Sequence, residues 1–432
     1  MVSYNKTLEY LYSQLPMFHR IGPAAYKPDL GNILKLCEHL QNPHQKFKSV
    51  HIAGTNGKGS VSSMLASILM EQGYKTALAT SPHLKDFRER IRINGKVVPK
   101  REVVRFVKEA KHLFAEISPS FFEISIALTF QYFAKSNLDI AVIETGLGGR
   151  LDSTNIISPV LAVITNIGMD HANLLGDTLH EIAGEKAGII KPKTPVVIGR
   201  HQPEILKVFS DKAQLEAAPI FLSKDFFRIE NSVVEKFRGK VYRKVTFKAP
   251  NNNICEFRCD IWGRYQTENI ATVLTAVEVL KSNGWEINDD AVQNGLANVA
   301  RNSGLKGRWQ QLGSNPTIMA DTGHNLDGIR AVIEQINQLS FRRLHVVIGM
   351  VDDKDVAAVL KLLPQSAAFY FCRPDIPRGL DVAILKEHAK HVGLKGDAYH
   401  SVGEALDAAK QNSSPDDLIF VGGSTFVVAE VV

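Results

Sequence analysis

The chain has 432 residues, more than one hydrophobic core usually serves, so two or three domains are expected. Apolar residues make up 44% and charged residues 22% of the chain, which excludes the disordered and fibrous classes. The formal net charge of +6 is mild and the basic residues are spread out, so no nucleic-acid partner is expected and a small polyanionic substrate suits the balance better.

The N-terminal segment, the apolar stretches and the cysteines indicate the compartment. The first 20 residues lack the basic start and long apolar core of a signal peptide. The longest apolar stretch, at 156–167, is interrupted by polar residues and is too short to cross a membrane. The four cysteines are scattered without zinc-ligand spacing. We therefore expect a cytoplasmic protein with structural thiols, no membrane partner and, by default, a monomeric state.

In the first part of the chain, predicted strands alternate with predicted helices. Their apolar runs are nearly continuous, as expected for strands that helices cover on both faces. Strands are predicted at 47–53, 75–80, 138–144 and 160–166, and helices at 61–73, 101–114 and 125–134. This alternation predicts a doubly wound α/β domain with a mostly parallel sheet of P-loop type.

The pattern changes twice in the second half of the chain. Short β-like pieces at 220–261 predict a β-rich accessory layer of the first domain, and a helix at 266–284 follows. Polar and glycine residues at 298–307 then interrupt the pattern, and a second α/β alternation begins. We therefore predict a first domain at 1–300 and a smaller, Rossmann-like α/β domain at 301–432.

A glycine-rich loop connects the first strand to its helix. It consists of Gly54, Thr55, Asn56, Gly57, Lys58, Gly59 and Ser60. Backbone N–H groups and the helix dipole favour a bound phosphate at such a turn. Lys58 can reach the terminal phosphates of a nucleotide, and the Ser60 hydroxyl can ligate magnesium. A ligand-free glycine turn is the alternative, and the strand-loop-helix context favours phosphate binding.

This loop resembles the ATP loop of the Mur ligases, and Gly59 between Lys58 and Ser60 resembles the folate branch of that superfamily, the folylpolyglutamate synthase/dihydrofolate synthase family. Further strings resemble family segments in the same order: SPHL at 81–84, ERI at 89–91, FE at 122–123 and ETGLGGRLDSTN at 144–155. The resemblance covers most of the chain. It implies an ATP-binding central domain at 1–300 and a glutamate-ligase domain at 301–432.

The resemblance also implies an activity. ATP and magnesium (Mg2+) would activate a carboxylate as an acyl phosphate, and the amine of L-glutamate would then displace the phosphate. The acceptor would be dihydropteroate, a reduced folate or both. A cell-wall Mur ligase acting on a UDP-sugar is one alternative, and the SPHL and GLGGRLD strings argue against it. A nucleotide-binding regulator without catalytic activity is another, and the retained Ser60, Glu144, His171 and Lys186 argue against that.

The family resemblance implies the metal ligands. They are Ser60, Ser81, Glu144 and His171, with Lys186 added if it is carbamylated as in the family. From the residues alone, Glu144 is either a ligand at a strand end or a solvated end. His171 is equally a ligand or a loop hydrogen-bonding residue, because magnesium prefers oxygen. Lys186 alone would be read as an exposed helix lysine.

The remaining site residues are also implied by the resemblance. Asn269 would bind adenine, with helix capping as the alternative. Arg308 and Asp321 would bind ATP, and His324 would lie beside the reaction site with the catalytic residues Lys58 and Lys186. The pteridine side would be lined by Phe121, Phe122, Glu123, Leu151, Asp152 and Ser153, although the two phenylalanines also suit a core. Residues 16–30 depart from the family pattern and leave the pterin contacts there open.

Overall fold

The computed structural model of the protein describes residues 3–16, 22, 29–249, 252–352 and 355–432. The strands are β1 (Ser49–Ala53), β2 (Thr76–Ala79), β3 (Ile91–Ile93), β4 (Lys96–Val97), β5 (Ile140–Glu144), β6 (Leu161–Ile164), β7 (Val196–Ile198), β8 (Ile220–Leu222), β9 (Arg228–Phe237), β10 (Lys240–Lys248), β11 (Ile254–Cys259), β12 (Gln310–Ser314), β13 (Thr317–Ala320), β14 (Leu344–Ile348), β15 (Ala368–Cys372), β16 (Gly396–Tyr399) and β17 (Leu418–Gly422).

The helices are α1 (Tyr4–Gln14), α2 (Gly31–His39), α3 (Lys58–Glu71), α4 (Lys100–Ile117), α5 (Phe121–Ala134), α6 (Ala172–Leu175), α7 (Leu179–Ala187), α8 (Pro203–Leu215), α9 (Ser223–Phe226), α10 (Gln266–Ser282), α11 (Asp289–Ala297), α12 (Val299–Ser303), α13 (Leu326–Ile336), α14 (Val356–Leu360), α15 (Val382–His391), α16 (Val402–Gln411) and α17 (Thr425–Val431). Short 3₁₀ turns lie at Pro43–Gln45, Phe87–Arg90 and Ser153–Ile156. No described helix combines the length and apolar character needed to cross a membrane.

The described residues form two compact units. The first unit contains the described residues up to Leu305 except Gly22, and the second contains Lys306–Val432 together with Gly22. Each unit is built on its own sheet.

The sheet of the first unit has the order β4-β3-β2-β5-β1-β6-β7-β8. Its strands run parallel from β2 to β8, and β3 and β4 add antiparallel pairs at one edge. Alternate residues of β5 pack in separate clusters, with Ile140 and Val142 in one and Ala141 and Ile143 in another. Both faces of the strand are therefore covered, which is why its sequence is apolar throughout. The predicted fold class is confirmed.

The segment predicted as an accessory layer divides between two sheets. Strand β8 joins the main sheet, whereas β9, β10 and β11 form a separate antiparallel sheet. Val245 and Phe247 of β10 are fully buried and pack in the same cluster as Ile270 and Val273 of α10. The small sheet is therefore anchored by one face to the helix that follows it.

The second unit is a six-stranded sheet with the order β12-β13-β17-β14-β15-β16. Its strands are parallel except for β12, which pairs antiparallel with β13 at the edge. Strands β14 and β17 are entirely buried and form the centre of the sheet. This arrangement matches the smaller α/β domain that the sequence predicts.

The carboxyl ends of β1, β5 and β6 meet at one edge of the first sheet. Strand β1 lies between the other two, with Ile52 opposite Glu144 of β5 and Ala53 opposite Ile164 of β6. Loops that follow neighbouring parallel strands converge at the same edge, where open α/β sheets bind ligands. The topology therefore brings together the segments that carry most of the predicted site residues of this unit.

Helix α11 packs closely against α3 because Gly295 has no side chain. A Cβ atom at Gly295 would lie 2.5 Å from Cα of Ile68, and the Ser67 hydroxyl donates to the Gly295 carbonyl at 2.7 Å. We predict that Gly295→Ala destabilises the first unit by about 1–3 kcal/mol through overpacking. The midpoint of urea unfolding, followed by circular dichroism, measures this change.

The matched control is Gly184→Ala, also within a helix. A Cβ atom at Gly184 would meet no other atom within 4 Å. Alanine is the better helix former, so this variant should be unchanged or more stable by up to about 1 kcal/mol. Equal midpoints for the two variants would contradict the proposed packing of α11.

Candidate functional site

Two glycines give the loop after β1 its conformation. Gly54 and Gly57 have φ values of +151° and +85°, which disfavour residues with a side chain. A Cβ atom at Gly54 would overlap the Thr165 hydroxyl, and one at Gly57 would lie 2.5 Å from Oδ1 of Asn269. The loop is therefore pressed against the segment after β6 and against α10, which leaves no room for larger residues.

Residues after β6 hold this loop in place. Asn166 accepts from the Thr55 amide through its carbonyl at 2.8 Å and from the Asn56 amide through Oδ1 at 2.8 Å. The Thr165 hydroxyl donates to the Asn56 carbonyl at 2.6 Å. Asn166 was not predicted as a site residue, although its place at the end of the strand predicted at 160–166 was a usable signal.

The polar side chains of the loop are satisfied by protein groups. Nζ of Lys58 donates to the carbonyls of Gly54 at 3.0 Å and Thr55 at 3.2 Å, so the lysine folds back over its own loop. The buried Ser60 hydroxyl accepts from Nε2 of Gln266 at 3.1 Å. The loop is thus preorganised around a lysine and a hydroxyl at the start of α3.

Asn269 lies beside the loop and does not cap its helix. Its Nδ2 donates to Oε1 of Gln266 at 2.7 Å, and its Oδ1 faces Gly57. The N-cap residue of α10 is Tyr265, which makes no capping hydrogen bond through its side chain. The capping alternative for Asn269 is therefore wrong.

Glu144 ends β5 at the same edge. Only 6% of the residue is exposed, so the alternative of a solvated strand end is wrong. Its Oε2 accepts from the Ser81 amide at 3.2 Å, which links the carboxylate to the segment after β2. A carboxylate removed from water in this way needs a compensating positive charge or donors.

His171 is the N-cap residue of α6, with a φ of +53°, and its amide donates to Oδ1 of Asp170 at 3.0 Å. The described residues hold no group of three or more His, Cys, Asp or Glu side chains arranged for a metal. A metal at this edge would need other oxygen atoms, and the Ser60 and Ser81 hydroxyls and the Glu144 carboxylate are donors of the kind magnesium prefers. The donor chemistry therefore fits magnesium.

Lys186 is buried inside the unit, with 3% of the residue exposed. The reading of this residue as an exposed helix lysine is therefore wrong. Burial, with the charge of Lys58, lowers the pKa of its amine to about 7, against the opposing effects of Asp170, Asp152 and Glu185. An amine with such a pKa is largely neutral near physiological pH and can act as a nucleophile.

Close backbone contacts surround Lys186. A Cβ atom at Gly149 would lie 2.7 Å from the Glu185 carbonyl and 3.0 Å from Cα of Lys186, and one at Gly188 would overlap the backbone of Arg150. The Arg150 amide donates to the Glu185 carbonyl at 2.7 Å. The glycines of the GLGGR and EKAG strings thus allow the loop after β5 to lie directly on α7.

Asp152 is buried and organises its own loop. One oxygen accepts from the amide and hydroxyl of Thr154 at 3.0 and 2.5 Å, and the other accepts from the Leu147 amide at 2.8 Å. Nε2 of His51, on β1, lies 2.8 Å from the same hydroxyl. Because that hydroxyl donates to Asp152, His51 must donate to it. This network links the loop after β5 to strand β1.

The other predicted substrate residues differ in exposure. Phe121 is buried and its ring lies 5.5 Å from Tyr12 and 5.8 Å from Phe87, which agrees with the core reading. Phe122 is partly exposed and its ring covers Gly146, beside the loop after β5. The side chain of Glu123 closes a capping box with Ser120 at the start of α5. Leu151 is partly exposed and Ser153 is largely buried in the 3₁₀ turn.

In the second unit, the predicted residues lie around the end of β13. The two oxygens of buried Asp321 accept from the amides of Trp309 at 2.7 Å and Gly323 at 2.8 Å. Arg308 donates to the Thr322 hydroxyl, and Nδ1 of His324 lies 3.0 Å from the Thr322 carbonyl. Asp321 thus fixes the two loops that carry Arg308 and His324.

Two family patterns match the chain. The Mur ligase middle domain matches residues 52–277. The glutamate ligase domain of the Mur ligases matches residues 307–425. Together these matches include the site segments of both units.

Relatives of known name match over nearly the whole chain. The dihydrofolate synthase/folylpolyglutamate synthase of Bacillus subtilis is 34% identical over 94% of this chain and 94% of its own length. The folylpolyglutamate synthase of Lacticaseibacillus casei is 33% identical over 100% of this chain and 98% of its own length. A probable bifunctional folylpolyglutamate synthase/dihydropteroate synthase of Haloferax volcanii is 34% identical over 94% of this chain, which spans 48% of that protein.

Solved structures share the fold. Escherichia coli FolC in complex with DHPP and ADP superimposes with a TM-score of 0.86 at 28% identity, over 100% of this chain and 97% of that one. Mycobacterium tuberculosis folylpolyglutamate synthase complexed with ADP gives 0.85 at 30% identity, over 99% and 96%. A bifunctional folylpolyglutamate synthase/dihydrofolate synthase with Mn, AMPPNP and L-glutamate bound gives 0.82 at 26% identity, over 100% and 97%.

The buried amine of Lys186 should make stability depend on pH. Its pKa falls from 10.5 to about 7 on folding, so the unfolded chain binds more protons between these values. The stability of the wild type, relative to Lys186→Met, is therefore highest above pH 10.5 and falls as the pH is lowered to about 7. We expect a slope of about 1 kcal/mol per pH unit. Urea unfolding from pH 7 to 10 in metal-free, carbon-dioxide-free buffer measures it.

Lys75→Met, which replaces an exposed lysine, is the matched control. Its stability difference from the wild type should stay constant across the same pH range, because the amine has water around it in both states. A constant difference for Lys186→Met as well would show that the Lys186 amine is not desolvated in the folded protein.

Proposed function

Because the chain belongs to the folylpolyglutamate synthase/dihydrofolate synthase family of the Mur ligases, we propose that it joins L-glutamate to dihydropteroate, to reduced folates or to both, using ATP. Membership of the family confirms the predicted class, an ATP- and metal-dependent ligase. The observation that carries the proposal is the glycine loop with Lys58 and Ser60 beside the buried carboxylate of Glu144. In this proposal, 1–300 is the ATP-binding domain and 301–432 the glutamate-ligase domain.

The loop from Gly54 to Ser60 would hold the triphosphate. Its amides lie at the start of a 14-residue helix, whose dipole favours negative charge. Lys58 donates to two carbonyls of its own loop, and a terminal phosphate would exchange these contacts for charge-assisted ones. Asn269, which faces Gly57, would bind the adenine.

Metal binding is assigned to the oxygen atoms at the same sheet edge. Ser60, Ser81 and Glu144 would hold magnesium, with His171 and a carbamylated Lys186 as further ligands. The bound ion supplies positive charge against the phosphates of the nucleotide. The burial of Glu144 supports this role, because a desolvated carboxylate gains most from a nearby cation.

Lys186 has the environment that carbamylation requires. Its neutral amine can add to carbon dioxide, and loss of one proton leaves a carbamate with two oxygen atoms. Gly149 and Gly188 hold the loop after β5 against this helix, so the lysine is enclosed by backbone. The buried amine is thereby converted to an anionic oxygen ligand.

The remaining predicted residues are assigned to the pteridine substrate or lie in the second unit. Phe122 and the loop of Leu151, Asp152 and Ser153 are assigned to the pteridine side, where an aromatic face can stack on a flat heterocycle. Because its oxygens are engaged within the loop, Asp152 would act by positioning neighbouring groups. Phe121 and Glu123 support the same wall from the start of α5. Arg308 and Asp321 are assigned to ATP and His324 to the reaction.

The reaction divides into two transfers. The substrate carboxylate attacks the terminal phosphorus of ATP and ADP leaves, which gives an acyl phosphate. The amine of L-glutamate then attacks the acyl carbon, and phosphate leaves with the bonding electron pair. Lys58 and the loop amides would stabilise the charge that develops on the transferred phosphoryl group.

ADP release tests this function directly. We expect ADP to form only when Mg2+, ATP, L-glutamate and either dihydropteroate or a reduced folate are all present. A coupled assay measures the rate, and mass spectrometry identifies the glutamylated product. Turnover with a UDP-muramoyl substrate instead would overturn the proposal in favour of a cell-wall ligase.

The matched variants for that assay are Lys58→Ala and Lys75→Met. Lys58→Ala should lower kcat by at least about 100-fold, because the phosphoryl group loses its cation, while the fold persists. Lys75→Met should match the wild type. Normal turnover by Lys58→Ala would remove the loop from the mechanism.

Carbamylation predicts chemical rescue. Lys186→Ala should lose activity, and short carboxylic acids such as acetate should restore part of it by placing carboxylate oxygens in the vacated space. Rates at increasing acetate concentration check this, with Lys58→Ala as the variant that acetate should not rescue. If acetate restores neither variant while bicarbonate removal leaves the wild type fully active, Lys186 acts without the modification.

A further inference from the structure

Arg90 is a buried cation near the predicted site. It ends the 3₁₀ turn Phe87–Arg90, and only 6% of the residue is exposed. Burial lowers the pKa of its guanidinium to about 10, with Tyr12, Glu144 and Glu89 opposing. Even so, the group keeps its charge at physiological pH. A charge held away from water at this depth requires an explanation.

No ion pair to Arg90 is found among the described residues. Within the described residues, its guanidinium makes one hydrogen bond, from Nε to Nδ1 of His83 at 2.7 Å. Arg88, in the same turn, instead pairs with Asp86 at 2.7 Å through two nitrogens. The described residues therefore leave the terminal nitrogens of Arg90 available for a ligand.

The position of Arg90 is fixed by its surroundings. Glu89 accepts from the amides of Leu84 and Asp86 at 2.9 Å each, and so holds the turn closed. The Arg90 carbonyl accepts from the Thr80 amide at 3.1 Å, next to Ser81. The guanidinium is thus preorganised, which lowers the entropy lost when a ligand binds.

Two groups near the Arg90 guanidinium are assigned to different ligands. Its carbon is 5.7 Å from the centre of the Phe121 ring, beside the wall assigned to the pteridine. The guanidinium also experiences the charge of Glu144, which is assigned to the metal and nucleotide. The substrate carboxylate that accepts the phosphoryl group must lie between the pteridine and the nucleotide.

We propose that Arg90 binds this reacting carboxylate of the pterin substrate through its two terminal nitrogens. This inference rests on the proposed function. A guanidinium presents parallel N–H groups that match a carboxylate, which an ammonium cannot do. Such a contact orients one carboxylate oxygen for attack on the phosphorus and later stabilises negative charge on the acyl oxygen.

The test compares a charged ligand with a neutral one. Dissociation constants for dihydropteroate and for its carboxamide are measured by fluorescence with Mg2+ and a non-hydrolysable ATP analogue. The wild type should prefer the carboxylate by about tenfold or more, and Arg90→Gln should lose that preference while binding the carboxamide as before. An equal weakening of both ligands, or an unchanged preference, would overturn the proposal.

Further variants exclude a folding effect. Arg88→Gln, in the same turn, should keep the preference of the wild type. Arg90→Lys should keep the charge but recover only part of the preference, because it lacks the planar pair of donors. ADP affinity should be unchanged in Arg90→Gln, and a large loss would indicate a structural role instead. If the wild type binds neither pterin ligand, that result contradicts the proposed function itself.

Discussion

The burial of the Lys186 amine is the constraint on which the rest of the site depends. Two glycines, Gly149 and Gly188, let the loop after β5 lie on the backbone of α7 and close water out. A side chain at either position would meet the backbone of the facing segment and force the two segments apart. The close backbone contact thus links the glycines of two distant strings to the low pKa of one lysine.

Buried charges at this sheet edge fall into two kinds. Asp152 has its oxygens filled by donors from its own loop, so it works as part of the scaffold. Arg90 is also deeply buried, and within the described residues its guanidinium donates one hydrogen bond, to a ring nitrogen of His83. Buried ions that the scaffold leaves incompletely surrounded gain most from a ligand of opposite charge. The hydrogen-bond pattern therefore separates groups that position from groups that bind.

The features that were predicted best from the sequence are those that depend on the residue pattern within one segment. The strand-loop-helix at 47–73 was readable because burial on both faces makes strands continuously apolar and glycines mark the turn. The short strands β3, β4, β7, β12 and β16 were missed, because two to five residues carry little periodicity. The burial of Lys186, the hold of Asn166 on the loop and the lack of an ion pair at Arg90 all depend on contacts between distant segments. No pattern within one segment could reveal them, and only the family resemblance pointed to Lys186.

Charge balance connects the proposed modification to the proposed metal. A carbamate at Lys186 would place an anion in the space that disfavours the ammonium, and burial would disfavour that anion equally if nothing neutralised it. A divalent cation held by this carbamate and Glu144 would remove the difficulty, since it would supply positive charge to both buried anions. By linkage, carbamylation would strengthen metal binding by the same factor by which bound metal favours carbamylation. In the proposed function, the enclosed lysine and the buried glutamate would therefore act together, as two oxygen ligands of one metal site.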